Sequence, residues 1–260
     1  MLHCMLLPTS LRSRIFLLGF TVAGCTTPAL RGAGSPPFIT DDPGTPGDGH
    51  WEINLGVTTE QRPGLHVTEL PLLDLNYGIG DRLQIKYEAP YLWQSETQTS
   101  AVSGLGNSAL GVKWRFFDAG GKGLLASVYP QFEFNNPGSS SSDRGLVQPG
   151  SAVRLPFQFA KEVGPVELVW QVGREFRPAG DAWFYGISAG HNISDKVMLA
   201  VELAGGANAG LHRSSLTANF GAAVDLSECT SLLFSVGREL HNHDEPCATL
   251  VAYVGLQWRL

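Results

Sequence analysis

The sequence predicts an all-β protein: a single antiparallel up-and-down transmembrane β-barrel of about twelve strands. Apolar and polar residues alternate almost without interruption from Trp51 to the last residue, as expected where successive side chains of a strand point to opposite faces. Beyond the N-terminal region no run of about 18 apolar residues provides a transmembrane helix. The connections between the alternating segments are short and long in turn, an asymmetry typical of membrane barrels.

Composition limits the classes of function. A length of 260 residues suits one large all-β domain, and 31 glycines, 16% charged residues and a mean hydropathy of −0.00 are compatible with a barrel whose lumen is polar. The net charge of −6 comes with scattered Lys and Arg and no basic stripe, which argues against a nucleic-acid partner. No glycine-rich phosphate loop follows a strand and opens a helix, so no nucleotide cofactor is expected.

Residues 1–33 are predicted to be a signal peptide and its processing region. Arg12 and Arg14 precede an apolar run over residues 15–23, followed by small residues. A buried helix is the alternative, but the Pro- and Gly-rich stretch that follows offers it nothing to pack against. Residues 22–25 also resemble a lipoprotein processing box, with Cys25 as the lipidated residue. Ordinary cleavage between residues 24 and 34 is the preferred interpretation, because a barrel needs no lipid anchor.

Residues 34–49 form a Pro/Gly/Asp-rich lead segment without periodicity, expected in the periplasm, and residues 50–260 form the predicted outer-membrane β-barrel. Within the lead segment, Asp41 and Asp42 are interpreted as a turn rather than a site. Cys229 and Cys247 are placed at opposite ends of a hairpin, so no disulfide between them is expected.

The outward face is apolar from the first strand to the last. It begins with Trp51, Ile53, Leu55 and Val57 and ends with Leu250, Ala252, Val254, Leu256, Trp258 and Leu260. Short turns are predicted at 78–81, 118–121, 161–165, 192–195 and 225–228, and longer polar links at 61–66, 94–104, 135–149, 177–181, 205–212 and 239–245. This strict alternation puts both termini on the periplasmic side.

Two further features follow from the same topology. Trp51, Trp114 and Trp258 fall near the periplasmic strand ends, and Trp93 and Trp183 near the outer ends, which predicts two aromatic girdles.

Glu52 and Arg259 both point inward near the periplasmic rim, on the first and last strands. If the barrel closes last strand to first, these two residues form a closure pair and their strands are neighbours.

The candidate functional residues are charged side chains on the inward face. They are Lys86, Glu88, Lys113, Arg115, Glu133, Arg154, Glu167 and Glu202. One interpretation is a charge network of both signs that fills and stiffens the barrel, since buried charges need partners. The other is a polar pathway whose charges select solutes. The two interpretations overlap, and both remain open at this point.

Two rival chemistries are weaker. The run from His241 to Glu245 contains two imidazoles and two carboxylates, a set that transition metals accept, but it lies in a predicted outer loop and no metal site is predicted. A barrel enzyme acting on outer-membrane lipid would need a Ser and a His in catalytic arrangement. His191 lies near a periplasmic turn, and no spacing around His212, Ser214 and Ser215 marks a nucleophile. We therefore expect no enzyme.

Several stretches carry a family resemblance. Residues 37–54 (PFITDDPGTPGDGHWEIN), 75–83 (LNYGIGDRL), 87–91 (YEAPY) and 104–117 (GLGNSALGVKWRFF) resemble the bacterial family named for the MetA pathway of phenol degradation. The resemblance implies a transporter-like or channel-like outer-membrane barrel, and it supplies no catalytic residues. One departure is the C-terminus, because such barrels usually end in Phe or Trp and this chain ends in Leu260.

The sequence thus predicts a porin-like passive channel in the outer membrane of a Gram-negative envelope. The expected solutes are small molecules, with aromatic or hydrophobic compounds as candidates. The expected partners are outer-membrane lipid and the barrel assembly machinery, without a cofactor. The alternatives are a structural or plugged barrel without transport and, with less support, a lipid-directed enzyme.

Overall fold

A computed structural model describes residues 33–121 and 123–260 of the chain, and these residues form a sheet of β-strands. The strands are β1 (Trp51–Arg62), β2 (Leu65–Ile79), β3 (Leu83–Glu96), β4 (Val102–Leu105), β5 (Ser108–Asp118), β6 (Leu125–Val128), β7 (Gln131–Phe134), β8 (Ala152–Val163), β9 (Val166–Phe176), β10 (Ala182–Ser194), β11 (Val197–Asn208), β12 (Ser214–Asp225), β13 (Thr230–Asn242) and β14 (Leu250–Arg259). No helix in the described ranges is long and apolar enough to cross a membrane.

The fourteen strands build a barrel wall of twelve. Both β4 and β5 pair with β3, and both β6 and β7 pair with β5 and β8. Each of these two pairs is therefore one wall strand with an interruption, at residues 106–107 and at 129–130. Pro130 contributes to the second interruption because it has no N–H to donate to a neighbouring strand.

The barrel closes by pairing of the first and last strands. β1 and β14 are antiparallel neighbours in continuous register from the pair Glu52–Arg259 to the pair Gln61–Leu250. The other neighbouring strands are also antiparallel, and the pairing of β1 with β14 closes the sheet into a barrel. The predicted up-and-down barrel and its last-to-first closure are confirmed.

A belt of apolar side chains covers the outer face of the barrel. Its members retain between 42% and 54% of their accessible surface, and they include Leu55, Ile85, Leu110, Val112, Phe132, Val153, Phe157, Val172, Ile187, Val201, Leu203, Phe220, Val236 and Val254. A water-soluble protein rarely exposes an apolar patch larger than a few hundred Å². The belt is the lipid-facing surface of a barrel of the outer-membrane type.

Aromatic residues lie where the alternation places them. Trp51 begins β1 and Trp258 lies next to the last residue of β14, so both mark the end of the barrel that carries the chain termini of the wall. Trp93 and Trp183 lie near the opposite ends of β3 and β10. Such rings suit the two interfaces of a bilayer.

The two ends of the barrel differ in the length of their connections, although less strictly than predicted. We call the end with connections 80–82, 119–124, 164–165, 195–196 and 226–229 the turn end. The loop end carries connections 63–64, 97–101, 135–151, 177–181, 209–213 and 243–249. The expected long link at 61–66 is wrong: β1 and β2 meet in a two-residue turn, where Gly64 adopts a φ of 85°.

The remaining expectations concern the termini and the cysteines. The predicted signal sequence and Cys25 lie outside the described residues, so both remain predictions. Cys247 is a free thiol.

A charge placed in the lipid-facing belt tests the membrane assignment. Ile187 lies in mid-strand between Trp170 and Leu203 and is 48% exposed. We expect Ile187→Arg to lower the free energy of unfolding in lipid vesicles by ~2–4 kcal/mol, because the cation would lie near the bilayer midplane.

The matched control is Leu211→Arg, in the loop 209–213, where the wild-type leucine is 66% exposed. This change is expected to leave the chemical unfolding curve unchanged. Equal losses at both positions would contradict a lipid-facing belt.

Candidate functional site in the barrel lumen

The lead segment, residues 34–49, lies inside the barrel together with its flanking residues Ala33 and His50. At its start, the Ala33 amide donates to the Glu167 carboxylate at 2.8 Å, and the Ser188 hydroxyl donates to the Ala33 carbonyl. Further along, the Ser235 hydroxyl donates to the Pro37 carbonyl at 2.7 Å. These contacts bind the segment to the inner faces of β9, β10 and β13.

Glu202 is the central anchor of the lead segment. It is 3% exposed, and its carboxylate accepts hydrogen bonds from the amides of Ile39 at 3.2 Å and Thr40 at 2.5 Å. Asn219 donates to the same carboxylate at 2.7 Å, and Gln171 donates to the Ile39 carbonyl at 3.0 Å. Because hydrogen bonds to a charged group are stronger than neutral ones, this cluster holds the segment firmly to the wall.

Glycines in the wall make room for the lead segment. A Cβ atom added to Gly186 would lie 2.1 Å from the Thr40 hydroxyl oxygen, and one added to Gly221 would lie 2.8 Å from the Phe38 ring. The Phe38 ring is 8% exposed and packs in a cluster with Ala33, Val169 and other apolar side chains. The fit is therefore one of shape as well as of hydrogen bonding.

An ion pair attaches the lead segment to the opposite side of the barrel. The Lys113 ammonium group donates to Asp41 at 3.2 Å and to the Asp42 carbonyl at 2.6 Å, and it lies 4.8 Å from the centre of the Tyr129 ring. Burial raises the pKa of the Asp41 carboxyl, but the ammonium groups of Lys113 and Lys86 outweigh it, and the pKa lies below its ordinary value. Asp41 and Asp42, interpreted from sequence as a turn, thus contribute to the site.

The lead segment leaves a cavity of about 920 Å³ in the lumen. Asp48 and Arg259 line it at the turn end, and Glu69 and Arg177 line it at the loop end. A volume of this size lies within the range of pockets that hold small molecules. The cavity therefore extends along the barrel beside the lead segment.

Five of the eight candidate charges line this cavity: Lys86, Glu88, Lys113, Glu133 and Arg154. Lys86 contacts Asp74 at 3.4 Å and Glu88 at 2.7 Å, so one ammonium group serves two carboxylates on β2 and β3. Asp74 lies at an inward-facing position in the alternation of β2. The sequence pattern therefore also identifies it as one of the charged residues of the lumen.

A second charge network lies at the loop end. Arg177 contacts Glu133 at 2.8 Å and also Glu175, while Arg154 contacts Glu175 at 3.3 Å and lies 4.5 Å from the centre of the Phe184 ring. Sequence parity does not identify Arg177, because this residue follows the end of β9 and belongs to a loop.

The other three candidates have different surroundings. Glu167 and Glu202 hold the lead segment, as described above. Arg115 lies at the turn end, where it contacts Asp118 at 3.5 Å and donates to the Asp81 carbonyl. In the closure pair, Glu52 accepts a hydrogen bond from Asn54 at 3.2 Å, and Arg259 contacts Asp225 at 3.3 Å.

The longest connection, residues 135–151, folds against the inner face of the wall. Arg144 donates to the Ser103 carbonyl at 2.7 Å, and a Cβ atom at the inward-facing Gly104 would meet Ser141, Arg144 and Leu146. Gln148 of the same connection lines the cavity. The connection therefore narrows the loop end of the lumen.

The histidines considered for lipid hydrolysis lie at opposite ends of the barrel. His191 lies at the turn end, where its ring contacts the Pro165 carbonyl at 2.8 Å, whereas His212 belongs to a connection at the loop end. Among the described residues, no three His, Cys, Asp or Glu side chains are grouped as metal ligands.

Comparison with known proteins supports the fold. No protein-family model and no curated protein matches the sequence, so the family resemblance is not confirmed by a match. An outer-membrane channel from Pseudomonas putida F1 shares the architecture with a TM-score of 0.66 and 12% identity, over 87% of this chain and 99% of that chain.

Two further structures show how varied such barrels are. The NanC porin matches with a TM-score of 0.59 and 6% identity, over 80% of this chain and 100% of that chain. The translocator domain of the autotransporter NalP from Neisseria meningitidis matches with a TM-score of 0.55 and 12% identity, over 80% of this chain and 88% of that chain. The barrel is common to all three, and the function must be argued from the lumen.

Removal of the central anchor tests the seat of the lead segment. Glu202→Ala leaves the amides of Ile39 and Thr40 and the side chain of Asn219 without their acceptor. An unsatisfied buried donor costs ~1–3 kcal/mol. Hydrogen exchange at these two amides is therefore expected to accelerate on the order of tenfold or more.

Glu96→Ala is the control, because Glu96 is exposed at the loop end of β3. The control should leave the exchange at residues 39 and 40 unchanged. Unchanged exchange in Glu202→Ala itself would show that the segment does not depend on this anchor.

Proposed function

We propose that the protein is an outer-membrane channel through which small solutes pass along the cavity beside the lead segment. The observation that carries the proposal is the extent of this cavity, which has lining residues at both the turn end and the loop end. The lipid-facing belt supports a place in the outer membrane, with lipid as a partner. We propose the barrel assembly machinery as a further partner, because it inserts barrels of this type.

The lining of the cavity supports passage of compounds with apolar parts. Met198, Leu233 and Tyr253 are buried against one another on the inner face, with Leu72 packed against them, and all four line the cavity. Apolar side chains inside an otherwise polar lumen favour solutes that bury apolar surface. Aromatic or hydrophobic compounds are therefore the candidate solutes, as the family resemblance over residues 37–117 also implies.

A plugged barrel without transport is the second candidate. The observation in its favour is the number of hydrogen bonds between the lead segment and the wall, which include those to Glu167, Glu202 and Ser235. The two candidates differ in one measurable property, since only a channel gives a conductance in a planar bilayer that depends on the width of the cavity.

A residue pair on β5 makes this test specific. Ala109 lines the cavity and pairs in register with Glu88 and Glu133, whereas its neighbour Leu110 faces lipid and is 47% exposed. We expect Ala109→Trp to reduce the single-channel conductance at least about twofold, because an indole fills much of a cavity suited to a small molecule.

Leu110→Trp is the matched control. It adds the same side chain one residue away, on the lipid face, and should retain the wild-type conductance. An absence of conductance in the wild-type protein, or equal effects of the two substitutions, would favour the plugged barrel.

A further inference from the structure

We infer that the pathway prefers small organic cations with an apolar body over anions of the same size. The inference rests on the proposed channel function and adds to it the sign of the charge that the lumen accepts. It follows from the charge of the cavity, from two carboxylates without a cationic partner, and from an apolar patch beside them.

The lining of the cavity is acidic. Among the described residues, ten Asp and Glu side chains line it, against five Lys and Arg side chains. The imbalance is concentrated on the wall of β1, β2 and β3, where the cavity-lining carboxylates Glu52, Glu69, Asp74 and Glu88 are accompanied by the single ammonium group of Lys86. Lys86 contacts only Asp74 and Glu88 of these four.

Two carboxylates of this wall have neutral partners. Glu52 accepts a hydrogen bond from the Asn54 side chain at 3.2 Å, and Glu69 accepts one from the Thr58 hydroxyl at 2.9 Å. In the described part of the chain, neither carboxylate forms an ion pair with Lys or Arg. A cation in the cavity therefore finds two carboxylates that no side chain of the wall neutralises.

One amide side chain links two carboxylates of this wall. Asn54 is 1% exposed, and its amide nitrogen donates both to Glu52 and to Asp74 at 3.2 Å, while its carbonyl oxygen has no partner. Rotation of the amide would turn this oxygen toward the two carboxylates, so the orientation is determined. The Asn54 side chain thus holds the carboxylates of Glu52 and Asp74 close to one another in this wall.

The apolar patch formed by Leu72, Met198, Leu233 and Tyr253 lies next to these carboxylates. The Tyr253 ring covers the paired glycines Gly56 and Gly255, and a Cβ atom at Gly56 would lie 2.7 Å from it. Gly56 is two residues from Asn54 on the inner face of β1, and Tyr253 packs with Leu72 of β2. An organic cation can thus bury its apolar body against the patch while its charge faces the carboxylates and the face of the tyrosine ring.

The same arrangement opposes anions. A cleft whose walls carry one sign of charge concentrates the counter-ion on the order of tenfold or more and depletes the ion of like sign. Rings of Asp and Glu serve as selectivity elements in cation channels for this reason. The lead segment does not make the cavity positive. Its Asp41 forms an ion pair with Lys113 and so neutralises a cation of the wall.

Two measurements on the wild-type protein test the inference. In planar bilayers under a KCl gradient, the reversal potential should have the sign of a K⁺-selective pore. In proteoliposomes, benzyltrimethylammonium should enter on the order of tenfold faster than benzenesulfonate. These probes share an aromatic body, and each carries a permanent charge.

The carboxylates are tested by substitution. The double variant Glu52→Gln/Glu69→Gln keeps both hydrogen bonds and removes two charges, so it should shift the reversal potential toward zero and reduce the preference for the cation several-fold. Glu96→Gln removes an exposed charge that does not line the cavity, and it should retain the wild-type selectivity.

The outcomes separate this inference from the proposed function. Conductance or flux without a preference for cations would overturn the inference and leave the channel intact. A cation preference that survives in the double variant would overturn the assignment to Glu52 and Glu69. An absence of conductance and of flux for both probes would overturn the channel itself, and the inference with it.

Discussion

Closure of the sheet between β1 and β14 is the constraint on which the rest of the structure depends. Hydrocarbon offers no partner to a backbone N–H or C=O group, so a sheet can cross a membrane only if its first and last strands pair. Here the pairing is continuous from Glu52–Arg259 to Gln61–Leu250. Closure also separates an inside from an outside, and every residue of the wall then belongs to one or the other.

The wall could be predicted from sequence because its signal is local. Alternation with a period of two needs only neighbouring residues, and it assigns Ile187 to lipid and Lys113 to the lumen without knowledge of any partner strand. The tight turn at Gly64 is harder to recognise because the polar residues Gln61, Arg62 and His66 around it suggest a longer link. The interruption at 129–130 does not change the alternation, so the sequence pattern does not reveal it. At 106–107 the register with β3 shifts by one residue, and the inward positions change from Gly104 to Ala109.

The interior could not be predicted in the same way. The lead segment has no periodicity, and its contacts join residues far apart in the chain, with 134 positions between Ala33 and Glu167 and 198 between Pro37 and Ser235. Parity indicates that Glu202 points inward, but it does not reveal that two peptide amides of the chain's own N-terminal region are its partners. Arg177 lies outside any strand, and alternation carries no information about it.

The carboxylates inside the barrel have different partners on the side of the lead segment and on the wall of β1, β2 and β3. A carboxylate inside a barrel needs donors or counter-charges, because its desolvation is costly. Peptide amides meet this need at Glu167 and Glu202, and the segment is thereby fixed against β9 to β13. Within residues 33–121 and 123–260, Glu52 and Glu69 on the other side of the lumen each receive one neutral hydrogen bond. On one side of the lumen the carboxylates are thus satisfied by the protein's own amides, and on the other side they face the cavity. We place the proposed pathway along this second side.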